Sequence, residues 1–270
     1  VTKTLIFVCA RIQQVVCNVV KGLLILHFRL FPRKRYRLPT HAPPLLKRRH
    51  ESAVPPILWQ TNYTAEVTLS LYLNYWWNRL MAPGYEYRFY DDEACDGYVR
   101  THFPDAWPFY QRLQIGAARA DYWRVLAILR EGGVYLDLDA TLCWNLDHFL
   151  RKNEAELLLR MPDGRLTNYC FAAIPGHPLL ASIDARIREN IAAGRHDTVF
   201  DLTGPMVFHE LGDRDHYTIV SSRLVSRQGQ LTNKSLQYPH DPERFWVIQQ
   251  NNRKILGEQS ADPGSSIQEQ

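Results

Sequence analysis

Apolar residues recur at Ile12, Val15, Val16, Val19, Leu23 and Leu26, with Arg11, Gln14, Asn18 and Lys21 on the opposite side. That spacing predicts an amphipathic helix near the start of the chain. Polar residues interrupt every apolar run there, and none reaches the roughly 18 to 20 residues that cross a bilayer. The helix is therefore expected to lie in a membrane interface or to pack on protein. A cleaved signal peptide is disfavoured, because Arg11 breaks the apolar region and no clear cleavage site follows. The proline-rich stretch 38–56 reads as a linker.

Beyond it, the pattern alternates between short apolar runs and helical spacing. "ILWQT" (57–61), bounded by prolines, predicts a buried strand, and "VTLSLYLNYWWNRL" predicts a helix. "YEYRFYDDEAC" reads as a second strand entering an acidic loop, where Asp91 or Asp92 can cap the next helix. Residues 115–133 predict a helix whose face is Tyr122, Val125, Leu126 and Leu129, ended by Gly132 or Gly133. A strand follows at once. "LLLRM" and "YCFAAIP" read as further strands, "HPLLASIDARIRENIAAG" and "TGPMVFHEL" as helices. Strands alternating with helices predict an α/β fold with a mainly parallel central sheet. The expected division is a membrane-association segment at 1–37, the linker at 38–56, a globular domain at 57–256 and a disordered polar tail at 257–270.

Composition adds two constraints. With 270 residues and 46% hydrophobic content, the chain can bury one sizeable core. Its five cysteines show neither zinc spacing nor a disulfide framework, which fits a reducing compartment. The net charge of +4 is uneven, with five basic residues between Arg29 and Arg37 and an acidic run at 86–96. The basic flank favours a main domain on the cytoplasmic side.

The chemistry concentrates in "GGVYLDLDATL" (132–142). On a strand, Asp137 and Asp139 would point to one face, and two like charges there call for a positive partner. Paired carboxylates are hard ligands that suit Mg²⁺ or Mn²⁺ and leave positions open for water or phosphate. Asp121 and Arg124 lie one helical turn apart and can project together.

The run "ARADYWRVLAILREGGVYLDLDATL", with "PPILWQT", "YEYRFYDDEA" and "LTGP" in the same order, resembles the DXD-containing sugar transferases. That group includes yeast Golgi α-mannosyltransferases, bacterial capsule and lipopolysaccharide transferases and, distantly, the large clostridial glucosylating toxins. The resemblance implies a GT-A type fold, a nucleotide-sugar donor, a divalent metal (Mn²⁺ or Mg²⁺), a glycan or lipid-linked acceptor, no nucleic-acid partner, and hexosyl transfer with retention. It implies that Asp137 contacts the donor and Asp139 the metal, and that Asp121 and Arg124 hold the donor sugar's hydroxyls. Gln60 and Thr61 would lie beside the nucleotide with Trp59, where relatives often have His. Asp92 would face the donor unless it only caps a helix. Thr203 and Gly204 would offer backbone amides at a helix start, and His240 is a candidate third metal ligand or phosphate contact. The expected place is the cytoplasmic face of a membrane, with a Golgi type II protein as the alternative.

Two other readings stay open. "VYLDLDATL" also matches haloacid-dehalogenase-like phosphatases, with Asp137 as nucleophile. Those enzymes usually carry the motif near the start of the domain, whereas some 80 residues of sheet and helix precede it here. A non-catalytic sugar-binding protein would explain the lack of an obvious general base. Retaining transfer accounts for that lack as well, since the departing diphosphate can take the acceptor's proton.

Overall fold

A computed structural model describes residues 2–47, 50–150, 152–194, 196–239 and 241–257. The expected tail, apart from Gly257, and His240 lie outside the described residues. The core is a seven-stranded mixed sheet. Its strands are β1 (His41–Ala42), β2 (Ile57–Thr61), β3 (Glu86–Tyr90), β4 (Gly133–Leu136), β6 (Glu156–Arg160), β7 (Leu166–Ala173) and β8 (Ile219–Ser221), while β5 (Ala140–Leu142) and β9 (Ser226–Gln228) form a separate antiparallel pair. The order across the sheet is β8-β6-β7-β4-β2-β3-β1. Strand β2 runs parallel to both neighbours, pairing Trp59 with Arg88 and with Tyr135. Strand β8 is parallel to β6, and β7 lies antiparallel between β6 and β4.

Both faces of this sheet are covered, so its central strands are buried on both sides and largely apolar rather than alternating. Trp59, Tyr135 and Phe171 point into one core with helix α4 (Gly116–Glu131) and helix α5 (Pro178–Ala193). Leu58, Val134, Leu136 and Ala172 point into the other, with helix α2 (Leu69–Met81). Helix α3 (Asp92–His102) follows β3, and its start settles the capping question. Asp91 accepts from Ala94 N at 3.0 Å, which leaves the Asp92 carboxylate free of that task. All five cysteines are free, and four are buried, as small apolar residues would be.

The stretch before β2 differs from a linker. Strand β1 pairs antiparallel with β3, and Leu38 and Val54 are buried in the α2-side core. Prolines here shape an edge of the domain instead of separating it from its helix. Helix α1 (Lys3–Leu30) also packs on the domain, through Ile6, Ala10, Cys17 and Leu24. The stripe picked out by its spacing is the outward one, with Ile12, Val15, Val19 and Leu23 each more than 60% exposed.

Helix α4 meets β4 through two glycines. Gly132 ends the helix at φ 67°, and Gly133 starts the strand at φ 110°. A Cβ on Gly133 would stand 2.7 Å from the Ile57 carbonyl oxygen. The Trp59 indole N–H donates to the Gly132 carbonyl at 2.9 Å, tying the neighbouring strand to the same corner. Gly133→Ala is expected to cost about 2–4 kcal/mol of unfolding free energy, from backbone strain plus the clash. Gly194→Ala, at φ 60° with open space around it, should cost only about 1 kcal/mol. Denaturant titration of the two variants measures the difference.

Candidate active site

The aspartate pair does not lie along a strand. Strand β4 ends at Leu136, and Asp137 to Ala140 form a tight turn in which Ala140 N donates to the Asp137 carbonyl at 2.9 Å. Leu138 points into the core between the two carboxylates. The convergence expected from strand periodicity is thus delivered by a turn. One side-chain amide marks it: Gln228 Nε2 is 3.0 Å from Asp137 Oδ2 and 3.5 Å from Asp139 Oδ1.

Helix α2 holds this turn by its backbone. Asn74 donates to the carbonyls of Leu138 and Ala140 at 2.7 and 2.9 Å, and Asn78 donates to Ala140 at 2.8 Å. Asn78 also accepts from Leu142 N at 2.9 Å, and Thr141 donates to Asn74 Oδ1 at 2.6 Å. Both asparagines are fully buried, four residues apart on one helical face. They satisfy a stretch of backbone that has no strand partner on that side.

Behind the turn sits a buried charge cluster. Arg124 Nη2 lies 3.2 Å from Asp121 Oδ1 and 3.3 Å from Asp137 Oδ1, while Nη1 donates to the Asn168 carbonyl at 3.0 Å. The guanidinium stacks over the Tyr135 ring at 4.3 Å, and the Tyr135 hydroxyl donates to Asp137 Oδ1 at 2.7 Å. Asn168 donates to Asp121 Oδ1 at 2.8 Å. One guanidinium therefore faces two carboxylates. Burial pushes the Asp121 carboxyl up to about 7, although Arg124 opposes the shift. Asp139 is also pushed up to about 7, by burial and then by the Asp137 charge, with the Gln237 and Gln228 side chains opposing. Gln237 Nε2 donates to Asp139 Oδ2 at 2.9 Å.

Two cavities meet at this wall. The larger, about 460 Å³, is lined among others by Thr61, Tyr63, Asp92, Arg119, Asp139 and Arg244. The smaller, about 310 Å³, is lined among others by Asp121, Arg165, Asn168, Phe200 and Pro205. Arg124, Asp137, Gln228 and Trp246 line both. Carboxylates and amide oxygens are hard donors, which suits Mg²⁺ or Mn²⁺. Asp137 is already engaged by Tyr135, Arg124 and Gln228, so Asp139 is the less encumbered ligand. Among the described residues no group of three or more His, Cys, Asp or Glu could hold a metal ion, so water and substrate oxygens would complete the shell.

The structure thus brings together Asp121, Arg124, Asp137, Asp139, Thr61 and Asp92 at the cavities. Trp59 is corrected: it is fully buried under Arg88 on the α4 side of the sheet and cannot reach a nucleotide. Gln60 is also fully buried, its amide donating to the Leu136 and Asp137 carbonyls at 3.2 and 3.4 Å, so it steadies the strand end from behind. The amides of Thr203 and Gly204 are corrected too. Both donate to the Val199 carbonyl and are unavailable to a phosphate, and the Thr203 hydroxyl sits 3.5 Å behind Asp121. Sequence reasoning missed Gln228, Gln237 and Asn168, whose types carry no signal without a fold. Asn74 and Asn78 did leave one, as amides at i, i+4 inside an otherwise apolar helix.

The sheet thus delivers two carboxylates on one turn to a polar cleft, with a buried Asp-Arg pair behind. Residues 77–156 match the family described as glycosyltransferase sugar-binding region containing DXD motif. It is similar to the initiation-specific alpha-1,6-mannosyltransferase of Schizosaccharomyces pombe, 25% identical over 193 residues that cover 59% of this chain and 48% of that protein. It is also similar to inositol phosphoceramide mannosyltransferase 3 of the same yeast, 31% identical over 127 residues, 46% of this chain and 35% of that one. The chain thus spans half or less of the length of these relatives. The solved PaToxG glycosyltransferase aligns with 73% of this chain and 78% of its own, with 13% identity and a TM-score of 0.46.

Two carboxyls held near 7 in the folded state, against about 4 in an unfolded chain, make the folded protein the better proton binder between those values. Their contribution to stability is full below about pH 4 and is lost as pH rises through about 7. With chelator present, the thermal midpoint should therefore decline across this window, and less so in Asp139→Asn. Thermal melts of both proteins across that range measure the difference.

Proposed function

We propose that this protein is a metal-dependent retaining glycosyltransferase, moving a hexose from a nucleotide-sugar donor to a glycan or lipid-linked acceptor. The observation that carries this reading is the turn that aims Asp137 and Asp139 at one point of a polar cleft, with Arg124 behind them. Both yeast relatives are named mannosyltransferases, and one name specifies inositol phosphoceramide. Mannose is accordingly the first donor sugar to test. Peripheral attachment to a membrane through α1 belongs to the same proposal, with the cytoplasmic face as the side.

When bound, Mn²⁺ or Mg²⁺ at Asp139 neutralises the donor diphosphate and stabilises it as a leaving group. The remaining work falls to the chain. Asp121 and Arg124 face the smaller cavity and position sugar hydroxyls there. Asp137, held by Tyr135 and Arg124, keeps its orientation without a search among rotamers. Arg119, Arg244 and Arg253 on the wall of the larger cavity offer positive charge to the diphosphate. Same-face transfer needs no separate protein base, because the departing diphosphate can accept the acceptor's proton. The phosphatase alternative lacks support: among the described residues no lysine lines either cavity, and Asp137 Oδ1 is engaged by a hydroxyl and a guanidinium.

Asp139→Asn is expected to lower transfer by about 10³-fold or more while the fold survives, since loss of a metal ligand removes several kcal/mol of charge stabilisation. The measurement is a panel of nucleotide sugars with Mn²⁺, read as nucleotide release and confirmed by circular dichroism of the variant. Release of phosphate from simple esters, with no nucleotide-sugar turnover, would reverse the assignment.

A further inference from the structure

Helix α1 is long and apolar enough to cross a membrane by length and composition. Its contacts argue for a different placement. Ile6, Ala10, Cys17 and Leu24 are each no more than 5% exposed, and they pack against the domain. Between them, Gln13 Nε2 donates to the Leu142 carbonyl at 2.9 Å, Lys21 Nζ to the Gly229 carbonyl at 2.5 Å, and Arg227 Nη1 to Gln14 Oε1 at 2.7 Å. From Ile6 to Leu24 the attached side covers about 27 Å of helix, close to the thickness of a hydrocarbon core of about 30 Å. A helix cannot span that core while this face stays on a folded domain.

The free side is apolar along its whole length. Ile12, Val15, Val19, Leu23, Leu26 and Leu30 are 54–65% exposed. Helix α2 widens this surface with Leu73, Trp76 and Leu80, exposed by 38, 40 and 58%. The two helices lie side by side: Trp77 Nε1 of α2 donates to the same Leu142 carbonyl as Gln13 of α1. Rings link them as well, from His27 to Tyr36, from Tyr36 to Tyr72, and from Tyr72 to Trp76.

Charge selects the occupant. The first 50 residues hold eleven Lys and Arg and no Asp or Glu, so the net +4 of the chain is +11 there and −7 over the other 220 residues. Pairing this face with a second copy would bring two such segments together, whereas an anionic lipid surface complements one. We infer that the outward faces of α1 and α2 form a single lipid-binding surface, on which the protein rests with α1 in the plane of an anionic leaflet. This rests on the membrane attachment proposed above and adds its geometry, a second helix and the lipid charge. The apolar side sinks to the boundary between headgroups and acyl chains, about 5–10 Å deep, and the basic segment stays among the headgroups.

The test uses the full chain with vesicles of phosphatidylcholine, alone or mixed with phosphatidylserine. The expected result is sedimentation with the mixed vesicles, weakened by salt and reversed by alkaline carbonate. Val15→Glu/Val19→Glu, at exposed positions, should lower binding about tenfold or more with an unchanged melting point, and Leu73→Glu/Trp76→Glu should lower it too. No binding to either vesicle would overturn both this inference and the attachment itself. Binding that resists carbonate would overturn only the in-plane placement, and indifference to the α2 variant would overturn the two-helix surface. A dimer in solution that Val15→Glu/Val19→Glu dissociates, with no vesicle binding, would assign the face to a second copy.

Discussion

A single guanidinium, that of Arg124, is shared by two carboxylates in a place where water is scarce. Asp121 and Asp137 each lie within 3.3 Å of it, and among the described residues no salt bridge reaches Asp139, further along the turn. Removing one partner from such a buried set leaves an uncompensated charge. The arrangement persists because other groups hold it: the Tyr135 hydroxyl, the Asn168 amide, and the ring of Tyr135 under the guanidinium. Burial and the neighbouring Asp137 charge disfavour the charged form of Asp139, and two glutamine amides offset this only in part. A cluster organised in this way is a stability cost in isolation and a receptor for positive charge in use.

The backbone of the turn is fixed from the opposite side. Asn74 and Asn78 reach from α2 to Leu138, Ala140, Thr141 and Leu142, and the N-terminal end of the same helix fastens the segment that carries Gln237. Thr68 donates to the Leu236 carbonyl at 2.8 Å and Ser70 to the Leu231 carbonyl at 2.6 Å. One helix thereby sets the spacing between the Asp-x-Asp turn and the chain that returns to face it. Such support is what keeps ligands within the tolerance that catalysis demands.

Much of this was legible in the sequence. The α/β class, the first strand, the glycine-ended helix and the Asp-x-Asp with its Asp-Arg companion all follow from periodicity, turn chemistry and one ordered set of motifs. The misses have physical reasons. The resemblance puts Trp59 and Gln60 beside the nucleotide, but the indole is packed within the α4-side core, and Gln60 satisfies backbone carbonyls behind the turn instead. Thr203 ends one helical turn and Gly204 caps the start of the next helix, and both amides bond to Val199 inside this tight connection, which spacing cannot reveal. The prolines of 38–56 suggest a linker, yet they flank a short edge strand, His41–Ala42, that pairs with β3. The spacing of α1 does give an apolar stripe, and that stripe is the exposed side of the helix, because burial depends on which neighbour is present.

Helix α1 also bears on the floor of the cleft. Lys21 holds the Gly229 carbonyl, and the Gly229 amide in turn donates to the Asp139 carbonyl at 3.0 Å. Gln228, the amide between the two aspartates, is the residue just before. The leading helix is therefore no detachable handle: cutting it away to gain solubility would strip the Gly229 carbonyl and the Gln13 contact to Leu142 at both ends of the β5–β9 pair. A shortened protein would keep its sheet and lose the brace beneath its acidic turn.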